Sequence, residues 1–217
     1  RTLSYSENKL ITNSRVGRPL DHSKDTAILD AACALMFAKG PAKMSMEAIA
    51  RQAGVSKVTL YKRFADIETL IDAVIQQLSQ RINGTLTVSP NDYKDCHHAL
   101  SEFGLLLLNF IVSHEHMNLM RMMASISEEH TQILHNIYSG GVMAAHQALS
   151  EWLTLKHKEG LINCADPDFG AEMFLSMITG LDIVRAFHRI PPRSVEGETR
   201  LHVEKVVSSF LKLWQLE

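Results

Sequence analysis

Between Ser45 and Phe64 the chain carries two short apolar-periodic segments joined through a glycine, and this limits the fold more than any other feature. Ser45 precedes Met46-Glu47-Ala48-Ile49-Ala50-Arg51-Gln52-Ala53 as an N-cap, its hydroxyl able to take a free amide of the first turn. Gly54 ends that segment, since a residue without Cβ adopts positive φ at little cost. After Val55, Ser56 caps a further segment, Lys57 to Phe64. Upstream, Ala27, Ile28, Ala31, Ala32, Leu35 and Met36 recur at helical spacing until Lys39-Gly40-Pro41 closes the run. A helix, a tight turn with Gly and a second short helix make a helix-turn-helix.

The segment from Lys57 divides its residues by side. Leu60 and Phe64, four apart, can face inward with Ile49 and Val55. Lys57, Val58, Thr59, Tyr61, Lys62 and Arg63 remain for the outside. A rod about two turns long with these groups displayed suits a major groove, side chains meeting base edges while cations and the phenol hold phosphates. A small helical subdomain with a solvated cationic face has the same pattern without DNA.

Charge follows the same division. Residues 1–84 hold 12 Lys/Arg against 8 Asp/Glu, whereas residues 85–217 hold 10 against 16. The excess of cations lies in the N-terminal part, where a polyanion would be met. Residues 1–22 lack apolar periodicity and read as a flexible arm ending in Arg15-Val16-Gly17-Arg18-Pro19. Arg15 and Arg18 on such an arm can reach a minor groove or its phosphates; a tail with no partner is the alternative.

At this point a resemblance adds to the residues. The stretch Ala32 to Leu70, and in particular Ile49-Ala50 followed by Ala53-Gly54-Val55-Ser56, Leu60-Tyr61 and Phe64, resembles the DNA-binding domain of TetR-family transcriptional regulators. The resemblance implies a three-helix DNA-binding domain, a linking fourth helix and a helical ligand-binding and dimerisation domain. It also implies that Ser45, Met46, Lys57, Val58, Thr59, Tyr61 and Arg63 touch DNA; Lys62 rests on its charge and position alone. One position departs from the family pattern. Where family members often carry a phosphate-gripping Lys, this chain has Ile67. The charge must then come from Lys62 or Arg63, or binding leans on the arm. Asp66 is a good N-cap for a fourth helix running to about Leu86.

The remainder reads as helices throughout, with no strand-like alternation of useful length. Helices are expected over about 93–113, from about Met117, and over about 129–158, loosened at Gly140-Gly141. The apolar residues from Phe169 to Phe187 surround much of one helix, and the last helix repeats Val203, Val206, Val207, Phe210 and Trp214. Helices apolar on nearly every side are buried on more than one. A symmetric homodimer through Phe169, Met173, Ile178, Leu181, Val184, Val203, Val207, Phe210 and Trp214 accounts for them, and the resemblance implies the same; one well-filled monomeric core is the alternative. The resemblance also implies a cavity for a small-molecule effector. Phe103, Leu107, Phe110, Met117, Met120, Met123, Ile137, Met143, Phe174 and Met177 could line it, with Arg121 and Asn109 orienting a polar group. Methionine-rich walls tolerate varied apolar ligands.

Other chemistry finds less support. Eleven histidines include His97-His98 and His114-Glu115-His116, but neighbours one or two apart do not share a helix face, and no zinc spacing occurs. No metal and no cofactor are expected. No GxSxG, HExxH, P-loop or GxGxxG motif points to an enzyme. Cys33, Cys96 and Cys164 are odd in number and unpaired in pattern, which fits a reducing compartment such as the cytoplasm. No apolar run is long enough for a bilayer and none reads as a signal peptide.

The expectation is therefore an all-α chain: an arm (1–22), a helix-turn-helix domain with its linking helix (23–86) and a helical ligand-binding and dimerisation domain (87–217). Its partners would be a double-stranded DNA operator, a small effector and a second copy, with no membrane. The alternative is a helical interaction or sensor module without sequence-specific DNA binding.

Overall fold

Side-chain oxygens start the helices where the sequence places them. Ser45 Oγ accepts from the Ala48 amide at 3.2 Å, Ser56 Oγ from Thr59 at 3.1 Å, and Asp66 Oδ1 from Thr69 at 2.8 Å. Each satisfies an amide that a helix start leaves without an intrahelical acceptor. The computed structural model describes residues 22–87, 93–124, 128, 131–190 and 196–214, and no strand occurs among them. Arg15 and Arg18 lie outside the described residues.

Helices α1 (His22–Lys39), α2 (Met46–Gln52), α3 (Lys57–Tyr61) and α4 (Ile67–Asn83) enclose the first core. Ile28, Ala32 and Met36 meet Ile49, Leu60, Leu70 and Val74 there, all buried. Gly54, at φ 66°, turns α2 toward α3. Then come α5 (Tyr93–Ile111), α6 (His114–Met123), α7 (Thr131–Ile137), α8 (Ala144–Lys158), α9 (Pro167–Thr179), α10 (Asp182–Phe187) and α11 (Glu196–Leu213). A second core forms among α5, α8, α9 and α11, with Phe174 between Phe103 (centroids 6.2 Å apart) and Phe210 (5.0 Å). Burying each of these rings contributes about 2–3 kcal/mol.

Two expected helices are divided. The span 129–158 holds α7, a π-helical turn over Tyr138–Met143, and α8. Gly140 lets that turn lie against α4, because a Cβ there would sit 2.8 Å from Ile75 Cγ2. The span from Phe169 to Phe187 breaks at Gly180, whose φ of 48° and ψ of −133° end α9. The break sends α10 in a new direction.

The two cores are joined through α6. Its Leu119 inserts into the first core, and Asn118 Nδ2 donates to the Phe37 carbonyl at 3.3 Å. Gly40, at φ 82°, brings the end of α1 against Met122, which a Cβ would meet at 3.3 Å.

Candidate nucleic-acid interface and ligand cavity

The buried Leu60 anchors α3, and Val55 and Phe64 pack partly beside it. The opposite side is free: Val58 is 66% exposed, Tyr61 is 49% exposed, and Lys57 and Lys62 are exposed with them. Thr59 is half-buried, its hydroxyl 2.9 Å from that of Ser56. Ser45 stays exposed beside this face while capping α2. Lys57 Nζ donates to Glu47 Oε1 at 3.0 Å, and this bond holds the Glu47 carboxyl below the usual carboxylate range. Both partners face water, so the pair is weak and readily exchanged for a phosphate.

Two expected contacts sit differently. Met46, at the first position of α2, is 6% exposed and belongs to the first core. Arg63 bridges to α1: Nη1 donates to Asp25 Oδ1 at 2.6 Å, with the Arg63 side chain 11% exposed. It braces α3 against α1 rather than projecting into a groove. Ile67 packs partly against the same core, so of the two cations considered as its substitute, Lys62 is the exposed one.

A cavity of about 510 Å³ lies between this unit and the helices beyond it. Of the residues expected around an effector, Leu107, Phe110, Met120, Met123 and Ile137 line this cavity. Phe103 and Phe174 do not, since both fill the second core, and Met177 packs against that core. Met117 is buried outside the lining, Met143 and Asn109 are exposed, and Arg121 is half-buried away from it. Sequence reasoning missed four walls: Met36 and Phe37 of α1; Ile75, Leu78, Ser79, Ile82 and Asn83 of α4; Tyr138, Gly141 and Val142 of the π-helical turn with Ala145 of α8; and Ile183 and Phe187 of α10. The α4 stripe had a signal, for Leu78 and Ile82 continue the helical spacing of Ile71 and Ile75, the latter the last buried first-core residue of α4. The α10 wall had none, because it depends on the break at Gly180.

The lining is almost wholly apolar, with Ser79, Asn83, His116 and Tyr138 as its polar side chains. Among the described residues no Lys, Arg, Asp or Glu lines it. His116 packs on Phe110 with centroids 4.7 Å apart, and burial pushes its pKa down to about 4. Its Nδ1 donates to the Ile111 carbonyl at 3.1 Å. Burial also raises the Cys33 thiol, aided by Asp30, and pushes Cys164 up to about 11, aided by Asp166. Both therefore stay protonated and unreactive near neutrality.

The residues expected at a dimer interface fall in two groups. Ile178, Val203, Val207 and Phe210 are fully buried in the chain's own second core, which α11 completes by packing on α5 and α9. Met173 and Trp214 are partly buried against it. Phe169, Leu181 and Val184 are exposed, and Phe187, Ile190, Leu201 and Leu213 join them. No single described helix is long and apolar enough to cross a membrane.

Comparison with known proteins meets this architecture at both ends. Residues 28–74 match the bacterial regulatory proteins of the tetR family, and residues 98–215 match the C-terminal domain of AefR-like transcriptional repressors. An uncharacterized HTH-type transcriptional regulator of Bacillus subtilis, YvkB, is 28% identical over 159 residues, spanning 73% of this chain and 80% of its own. The structure of the flavonoid-responsive regulator FrrA superposes with a TM-score of 0.66 at 26% identity, over 90% of this chain and 98% of that one. FadR of Bacillus subtilis, solved in complex with stearoyl-CoA, superposes with a TM-score of 0.60 at 16% identity, over 86% and 97%. These relatives are transcriptional regulators, not enzymes. With family matches at both ends and more than half the chain inside the second, the chain belongs to the TetR family of transcriptional regulators.

Proposed function

We propose that the chain is a homodimeric repressor released from a palindromic operator by a small, largely apolar molecule bound in the cavity. The observation that carries this reading is the cavity's position. Its wall includes Met36 and Phe37 of α1 and five residues of α4, helices that share one core with Leu60 of α3, as well as α5–α8 and α10. A molecule that changes the shape of that space must move α1 and α4 against the rest or fit badly.

Ser45, Lys57, Val58, Thr59, Tyr61 and Lys62 meet the DNA in this reading, and Arg15 and Arg18 extend the contact from the arm. Two copies joined through the exposed apolar side chains of α9, α10 and α11 present two α3 helices to half-sites about 34–36 Å apart. Large apolar groups exposed together mark such interfaces. The effector releases DNA only if it binds the mismatched spacing better than the competent one; moving occupancy from 99:1 to 1:99 takes about 5.5 kcal/mol of that preference.

FrrA is described as flavonoid-responsive, and FadR was solved with an acyl-CoA. The absence of a cation from the described lining favours an uncharged body here over an acid.

The test selects bound fragments from random DNA and then titrates binding against salt. Specific DNA binding gives a steep linear fall of log K with log salt. Tyr61→Ala should weaken the selected site at least about tenfold and leave sedimentation as a dimer unchanged. Full affinity in that variant, or a monomer at micromolar concentration, overturns the proposal.

A further inference from the structure

The polar groups in the cavity wall are not equally free. The Ser79 hydroxyl donates to the Gly140 carbonyl, and Asn83 Nδ2 donates to the Ala144 carbonyl at 3.3 Å. These bonds fix α4 to the π-helical turn and α8, while the exposed Tyr138 hydroxyl can still donate. Two acceptors have no donor. Asn83 Oδ1 is buried without a hydrogen-bond partner. His116 gives its only proton, on Nδ1, to the Ile111 carbonyl, so Nε2 carries a bare lone pair, and no described residue bonds to it. The ring is held in this orientation by tilted packing on Phe110 and by the Ser113 cap, whose Oγ accepts the His116 amide at 3.2 Å.

His116 Nε2 is not among the fully buried unpaired atoms, so an apolar ligand filling the cavity would cover it without a donor, whereas a ligand that brings the donor avoids that cost. A carboxylate meets the opposite situation: two lone-pair acceptors and no described cation in the wall. Its charge would be buried without a cation to pair with.

We propose that the cavity selects an uncharged, mainly apolar molecule bearing a hydroxyl or N–H group that it donates to His116 Nε2, and that it discriminates against the carboxylate of the same body. This rests on the cavity being the effector site.

Calorimetry with the full chain and three matched probes tests this: 4-hexylphenol, 4-hexylanisole and 4-hexylbenzoate. The phenol should bind about tenfold tighter than the anisole, whose ether cannot donate, and the benzoate should bind weakest. In His116→Phe, which keeps the ring packing, the phenol-to-anisole ratio should fall below about two. His116→Gln restores an acceptor and should regain most of it. Should His116→Phe not fold, the wild-type ratios still decide. Equal binding of phenol and anisole, or a benzoate as tight as the phenol, overturns the inference while leaving the cavity as the effector site. Failure of all three probes overturns both.

Discussion

Replacing Arg63 by Ala separates a structural brace from a DNA contact. The Arg63–Asp25 distance is 2.6 Å, with the side chains 11% and 32% exposed. Such a pair lies between an exposed one, worth at most about 1 kcal/mol, and a fully buried one, whose breakage costs about 3–5 kcal/mol. Losing the aliphatic stem of Arg63 adds to the cost. Together these give about 2 kcal/mol, or roughly 4–8 °C in melting temperature for a chain of this size. Circular dichroism melts of Arg63→Ala, Asp25→Asn and the double variant measure it. The double variant should lose less than the sum of the singles, with a coupling of about 1–2 kcal/mol. Fluorescence anisotropy on operator DNA supplies the second readout. A residue that neutralises no phosphate leaves the salt slope where it was, whereas losing a phosphate contact reduces it by about 1. An unchanged melt together with a reduced slope would refute the bracing role and return Arg63 to the groove.

The remaining predictions concern the core and the cavity. Gly104→Val should destabilise the chain by about 2 kcal/mol in chemical denaturation, because a Cβ there already lies 2.8 Å from Ile178 Cδ1 and 3.1 Å from Val203 Cγ1; a loss below a few tenths would show that α5 can move off α9 and α11. Acid should weaken the fold through His116. Its folded pKa of about 4 lies below the usual 6.5, so the unfolded chain binds the extra proton, and stability present above pH 6.5 drains as pH falls toward 4. Between pH 7.5 and pH 5 this group accounts for about 2 kcal/mol, which urea titrations should find missing in His116→Gln. An identical acid loss in both proteins would assign the effect elsewhere.

Much of the architecture was legible because its causes are local. Caps act over three residues, so Ser45, Ser56 and Asp66 announced their helices, and Gly54 announced the turn between α2 and α3. Leu60 inward and Val58 and Tyr61 outward followed from a period of 3.6 residues. Five of the cavity residues were found in the same way, since α5, α6 and α7 present them on regular faces. Periodicity identifies a buried face but not what buries it. Phe103 and Phe174 meet each other rather than a ligand, and Val203, Val207 and Phe210 meet α5 and α9 rather than a second copy. Arg63 reads as a groove cation until Asp25, 38 residues earlier, is brought within 2.6 Å. Sequence alone thus determined which segments are helical and which sides of them avoid water. Tertiary structure decided which apolar faces pair, where they leave room, and which charge is neutralised internally, because those depend on the direction the chain takes at Gly40, Gly140 and Gly180, and helical period carries no record of it.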